Sequence, residues 1–384
     1  MGFSSHDDLI NKISTLGQYL RRDGSKLTSP VATAGGWHNT ISYAGNPVAT
    51  TAAGTSLLWK NCDEFTGEGT NMIGIQNGGA VGPSSTKHVL NVGVNIVAAA
   101  GAPWQAKLVD LQGFYYLSGA DVTGTGSRTL INANTFTASS SSGLLLTYTN
   151  DFISGTKVRF TTTTTLPTGL SLNTDYWLVR VTSTTARVAT SYANYVAGTV
   201  IAFTDAGTGT HTLTIQMPRY AFGVGCQAFW SVITAPTGGG PTLSASSYTN
   251  STPTAGRAFT GSVVMNAAAN AYASRIIHSG NAAGNYGPFL PLAGSDTGVA
   301  SIQSFTFSAG TAYTGSGVLA LCIARPILDI SIPVTGMWSE RDLVNQLPSL
   351  PQIQDGACLV WLLFGTGATT NASPINFAID FAFG

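Results

Sequence analysis

Charge is scarce in this chain. Only 9% of its 384 residues are Asp, Glu, Lys or Arg, against roughly 25% in an ordinary soluble domain, and the 17 basic and 17 acidic residues cancel. A surface kept dispersed by its own charge is therefore excluded, which points to one covered by copies of the chain or by partners. Nucleic acid is not expected as a partner either. A phosphate-binding groove needs clustered Lys and Arg, and the only adjacent basic pair is Arg21-Arg22.

Cysteine and long apolar runs are scarce as well. Cys62, Cys226, Cys322 and Cys358 stand far apart with no CxxC or Cys/His ligand spacing, so a structural zinc site is not expected. A few buried free thiols fit a chain made in a reducing cytoplasm, with two disulfides as the open alternative. The longest strongly apolar run, Cys358–Phe364, is too short to cross a bilayer and reads as a buried strand. The opening MGFSSHDDLINKI places acids where a signal peptide carries bases, and it lacks an apolar core. No membrane association is expected, and the chain is expected to be intracellular when made.

The residues that carry chemistry are equally thin. The glutamates are Glu64, Glu68 and Glu340. Asp63, Glu64 and Glu68 form one acidic cluster, but a glycosidase needs two carboxylates facing each other across a groove. Adjacent acids in a Gly-rich segment read as solvated, with a weak calcium site completed by Asn71 as the alternative. His6, His38, His88, His211 and His278 lie in separate segments without an HExxH pattern. The glycines at 124–126 and 238–240 do not join a strand to an amphipathic helix, and neither Gly-Lys-Ser/Thr nor GxSxG occurs. These absences together predict a protein that is not an enzyme and takes no cofactor or metal.

What is present is apolar and β-forming. Hydrophobic residues make up 43% and aromatics 10%, too much for disorder. One helix is predicted near the start, capped by Ser4 or Ser5, with Asp7 and Asp8 in its first turn and Arg21-Arg22 closing it before Gly24. Leu9, Ile13, Leu16 and Leu20 form its apolar stripe, which serves either partner docking or contact with its own domain. From Leu27 to about Ile131 the signals are strands, notably Lys87–Val97 and Trp104–Tyr116, with Trp37, Trp59 and Trp104 as core anchors. Between about Asn132 and Gln216 threonine dominates. Six strands are predicted there: 144–149, 157–165, 176–183, 187–191, 200–204 and 210–216. Within them Tyr176 and Leu178 share a face opposite Trp177 and Val179, and Leu213 and Ile215 share another. Short alternating strands at this spacing predict a small β-sandwich.

The residues LPTGLSLNTDYWLVRVTSTTARVATS and VIAFTDAGTGTHTLT within 132–216 resemble the small immunoglobulin-like modules of tailed-bacteriophage virion proteins. The flanking chain has a second resemblance. HSGNAAGNYGPFLPLAGSDTG at 278–298, ARPIL at 324–328 and ERDLVNQLPSLPQIQDGACLVWL at 340–362, with KLVDLQGFYYLSGADV at 107–122 and MPRYAFGVG at 217–225, resemble capsid-associated structural proteins of tailed phages. In that pattern the 107–122 segment runs almost directly into 217–225, which makes 132–216 an insertion in an exposed turn.

The resemblance implies an all-β chain with three parts: an N-terminal helix or arm (1–26), a discontinuous sandwich or jelly-roll-like body (27–131 and 217–384) and an inserted immunoglobulin-like sandwich (132–216). It further implies a decoration or cement protein on the capsid surface of the virion, made in the cytoplasm of the bacterial host. Its partners would be the major capsid protein and copies of itself. The alternative is a tail or head-fibre component that binds a receptor or glycan, with Tyr192 and Tyr195 as exposed aromatic platforms. Residues 338–348 read locally as a short helix capped by Ser339 and stopped by Pro348. The resemblance implies an interface here, or else a crossover between strands. The candidate interface residues are Leu9, Ile13, Leu16, Leu20, Trp338, Arg341, Leu343 and Leu347.

Overall fold

The computed structural model describes residues 3–27, 35–41, 44–46, 55–63, 74–78, 86–97, 101, 103–139, 145–260, 263–265, 273–277, 287–308, 312–315, 317–345, 350–367 and 373–384. Nearly all of its regular structure is β, and the strand pairs described below are antiparallel. Two sheets stack to form one half of the body. In the first, the order is Ser339–Asp342, Lys87–Ile96, Pro374–Phe383, Tyr19–Leu27 and Ala44–Asn46. In the second it is Ile276–Ile277, Gln227–Thr234, Val318–Ile332, Trp104–Ser118, Leu359–Gly365 and Gly36–Asn39. Val92, Val94, Ile96, Phe377 and Ile379 of the first sheet meet Leu108, Ile330, Ile332 and Trp361 of the second in one dry cluster.

Two strands of 15 residues, Trp104–Ser118 and Val318–Ile332, run the length of the second sheet and serve two cores. Each carries an extra residue. Leu111 pairs with Ala324 and Gly113 with Ile323, which leaves Gln112 over; Val109 pairs with Pro326 and Leu108 with Leu328, which leaves Ile327 over. One extra residue flips the alternation of every side chain beyond it. A single face therefore buries Trp104, Ala106 and Leu108 against the first sheet at one end, and Tyr115 and Leu117 in a different cluster at the other. Pro326, which cannot donate a ladder hydrogen bond, sits at such a bulge. The opposite face of this sheet holds Val109, Leu111, Phe229, Cys322 and Val360.

A third sheet, in the order Val263–Val264, Thr242–Asn250, Val299–Phe307 and Gly126–Thr129, covers the far end of the long strands with Tyr248, Ile302, Phe305 and Phe307. Beyond it lies a barrel. Its six strands hydrogen-bond in the ring Lys157–Thr162, Asp175–Thr182, Thr185–Ala189, Leu145–Tyr148, Ala133–Ser139, His211–Ile215 and back to the start. Five of the six predicted strands are in this ring. The predicted strand at 200–204 is not; Ile201 makes one ladder-like bond, its amide to the Val188 carbonyl at 2.8 Å. The sixth place is taken by Ala133–Ser139. Because that strand bridges Leu145–Tyr148 and His211–Ile215, the unit is a closed barrel where a two-sheet immunoglobulin-like sandwich was expected. Phe136, Leu146, Phe160, Leu178, Val188 and Leu213 fill it and continue without a break into the cluster containing Trp59, Tyr115 and Phe305 of the body.

The N-terminal helix is shorter than predicted, His6–Ser14. Ser5 caps it by accepting from the Asp8 amide at 3.1 Å, and Gly17, at φ +64°, turns the chain out of it. Tyr19–Leu27 is then a strand paired residue for residue with Pro374–Phe383. Arg21 and Arg22 are therefore strand residues and do not close a helix. Arg21 reaches Asp23 and Asp380, while Arg22 donates to the Gln76 carbonyl. The first part of the helix predicted at 338–348 is likewise a strand, Ser339–Asp342, because it adds to the edge of Lys87–Ile96, and 346–348 lie outside the described residues.

Candidate interaction surface

Segments far apart in the chain meet on one open groove of about 420 Å³. Gly287–Phe289, the bulged Pro326–Asp329 stretch, Lys107, Gln227 and Arg341 line it. The bulge at Ile327 lifts that residue out of register. The Arg341 guanidinium donates to the Asp329 carbonyl at 2.5 Å, and Lys107 pairs with the Asp329 carboxylate at 2.7 Å. The chain reaches Arg341 through the loop 333–338, which turns at Gly336 (φ +80°) and leaves Val334, Met337 and Trp338 exposed, Met337 at 63% and Trp338 at 49%. Trp338 lies over Gly93 of the neighbouring strand, where a Cβ would come within 3.1 Å of its ring. A sheet edge bordered by exposed apolar side chains is a surface suited to contact.

The eight candidate interface residues do not form one surface. Leu9 and Leu343 are buried, at 2% and 1%, in the core between the two stacked sheets. Ile13 and Leu20 are half-buried against the same core, Leu20 from a strand and not from the helix. Leu16 is exposed, as is Ile10, which sequence reasoning left out. Arg341 lines the groove, Trp338 lies over Gly93 and is not among the groove's lining residues, and Leu347 lies outside the described residues. The helix sits by Pro374–Phe383, near the His88 end of the Lys87–Ile96 strand, whereas Ser339 pairs with Val94. At about 3.3 Å per residue the two exposed patches are roughly 20 Å apart.

A second concavity, of about 730 Å³, follows the seam between barrel and body. Tyr192 and Tyr195, expected as exposed platforms, are half-buried here. The Tyr192 ring presses on Gly356 so closely that a Cβ there would collide with it, and the Tyr195 hydroxyl lies tightly over Gly155. Asn61 of the body donates to the Gly155 carbonyl of the barrel at 3.0 Å. Where the chain leaves the barrel, Arg219 is buried and forks onto Asp110 at 2.7 and 2.9 Å. It also donates to the carbonyls of Cys62 and Leu111. Burial pulls the pKa of this guanidinium down, but the Asp110 carboxylate beside it more than offsets that and the net shift is upward. Tyr220, next in line, has left-handed backbone (φ +49°) and stacks under Arg325 at 4.2 Å.

The described histidines do not converge: His38 and His211 are buried apart from each other, and burial lowers the pKa of His88. All four cysteines are buried and outside any disulfide. Burial pushes their thiols up, Cys226 to about 12, which makes them poor nucleophiles. Asp63, read from sequence as solvated, is buried, while Glu64, Glu68 and Asn71 lie outside the described residues. Among the described residues no group of three His, Cys, Asp or Glu is placed to hold a metal ion, and no helix is long and apolar enough to cross a membrane. Comparison of the chain with protein-family models and with curated proteins gives no match.

Proposed function

We propose that this chain is a structural protein of a tailed-bacteriophage particle that binds the outer face of the capsid lattice and stabilises it. The observation that carries the reading is the groove. Gly287–Phe289, Pro326–Leu328 and Arg341 come from three of the segments on which the resemblance to capsid-associated proteins rests, and they line one open surface, while Met337 and Trp338, shortly before Arg341 in the chain, stand exposed. Residues that meet so far from one another in sequence, with apolar side chains left in water, support a docking role. Low charge supports it too, since many close-packed copies would otherwise repel one another. Ile10 and Leu16, on the separate patch, suit contact with a second copy. A protein that binds the assembled lattice but not its dissociated parts raises lattice stability by mass action.

The test compares virions with and without the protein. Its copy number, measured by band densitometry, should approach that of the shell protein, and particles lacking it should release DNA at lower temperature. Met337→Asp combined with Trp338→Ala should reduce its occupancy on shells. A few copies per particle with an unchanged release temperature would overturn the reading and favour a tail or head-fibre component.

A further inference from the structure

The seam cleft is chemically unlike the groove, and the lattice-binding reading makes no use of it. Its walls come from three parts of the chain: the outer side of two barrel strands with Lys157 and Trp177, the short helix Tyr192–Val196, and body segments containing Asn61, Lys87 and Gln352–Asp355. The barrel strand Asp175–Thr182 turns Tyr176 and Leu178 inward, so Trp177 projects outward and is half-buried at the cleft. Lys157, its cross-strand partner, holds its ammonium 5.4 Å from the indole centroid. The combination is one aromatic plate with carboxamides and hydroxyls around it.

The charges at this site are already matched. Lys157 pairs with Asp175 at 2.8 Å, Arg219 with Asp110 at 2.7 Å, and Lys87 lies 4.0 Å from Asp355. A phosphate or carboxylate ligand would have to displace one of these partners. Asn61 gives the opposite signal. It is 2% exposed, its amide nitrogen is committed to Gly155, and its Oδ1 is buried with no hydrogen-bond donor among the described residues. A buried acceptor left unmet costs about 1–3 kcal/mol, and a ligand hydroxyl would meet it. The adjoining Tyr220 is a non-glycine residue with left-handed backbone, and such strain clusters at ligand sites. The volume is within the usual range for ligand pockets, roughly 300–1,000 Å³.

We propose that this seam cleft binds a neutral saccharide. The apolar face of a sugar ring would lie on Trp177, and its hydroxyls would bond to Asn61 and Gln354.

The test applies the full-length protein to a printed array carrying neutral and acidic glycans, followed by calorimetric titration of the best binder. Neutral glycans should be retained. Trp177→Ala and Gln354→Ala, both outside the hydrophobic cores, should each weaken binding at least tenfold while leaving the melting temperature unchanged. Failure to bind any neutral glycan would overturn the proposal, as would binding confined to acidic glycans or binding that both variants retain. Heat release of virions is a separate readout, so this site and the lattice reading stand or fall independently.

Discussion

In the barrel, half of the pairings join strands consecutive in the chain, as Asp175–Thr182 does with Thr185–Ala189, all lie within residues 133–215, and the ring closes on itself. In the body, pairing is long-range: the Tyr19 hydroxyl bonds Asp380, 361 residues away, and the second sheet joins segments from all along the chain. Closure leaves the barrel without a sheet edge. The body keeps edges, and at one of them, Ser339–Asp342, the apolar side chains of Met337 and Trp338 stand in water. The two regions thus divide the labour: the barrel is complete as a sheet, while the body carries the surface that looks unfinished. They are nevertheless welded, because one apolar cluster crosses the seam and Arg219 fixes the chain where it leaves the barrel.

The largest test of that contrast falls on the body. Asp110 accepts from Arg219 and from the Cys358 amide with its side chain fully buried. Asp110→Asn removes the charge but leaves a buried guanidinium uncompensated, so it should cost about 3–5 kcal/mol, read as a lower urea midpoint. A loss below 1 kcal/mol would mean that the body does not depend on this pair.

In the barrel, Leu213→Ala at a fully buried position should cost about 2–5 kcal/mol. The informative part is the shape of the transition. A shared core predicts that barrel and body still melt together in calorimetry; a separate low-temperature barrel transition would show that the cluster is continuous in space without coupling the two.

The smallest effect concerns the third sheet. Asp296 accepts from Arg257, Tyr248 and Asn250. Its carboxyl is held down to about 2 by the hydrogen bonds from Arg257 and then Tyr248, with Asn250 contributing further. A carboxyl depressed in the folded state contributes stability above its unfolded pKa of about 3.9 and loses it as pH falls through the folded value. The Asn250–Arg257 turn should therefore loosen between about pH 4 and pH 2. In Asp296→Asn, hydrogen exchange of its amides should lose that pH dependence. If the dependence persists in the variant, another group is responsible.

How much of this was readable in advance also differs between the two regions. The barrel strands show in sequence because one face is wet: Tyr176 and Leu178 alternate with Trp177 and Val179 as a half-buried strand requires. Ala133–Ser139 escaped because Phe136 is its one large apolar residue, and 200–204 misled because an alternating pattern does not reveal that its place in the ring is taken. The first half of Val318–Ile332 is buried on both faces, so Val318–Ala324 reads as an apolar run without alternation, and Pro326 is the one sequence mark of its bulge. At the N-terminus Leu20 satisfies helical spacing from Leu16 and strand alternation equally well; pairing with Phe381 decides it. Of the groove's lining residues, the candidate set read from sequence contained only Arg341. Phe289 and Ile327 join it through tertiary folding, which sequence spacing cannot express. Arg219 had a signal that went unused: Asp110 is a charge inside an apolar strand, and such a charge needs a buried partner.

The placement of Pro374–Phe383 between Lys87–Ile96 and Tyr19–Leu27 bears on how the protein is made. Until Pro374–Phe383 has been made, the first sheet lacks its middle strand, and Val92, Val94 and Ile96 have no complete layer to cover them. The barrel, whose strands have all emerged by then, is free to form. Nascent chains would therefore carry the barrel strands beside an open body until Pro374–Phe383 is made, and products terminated before it would be the ones that chaperones and proteases capture.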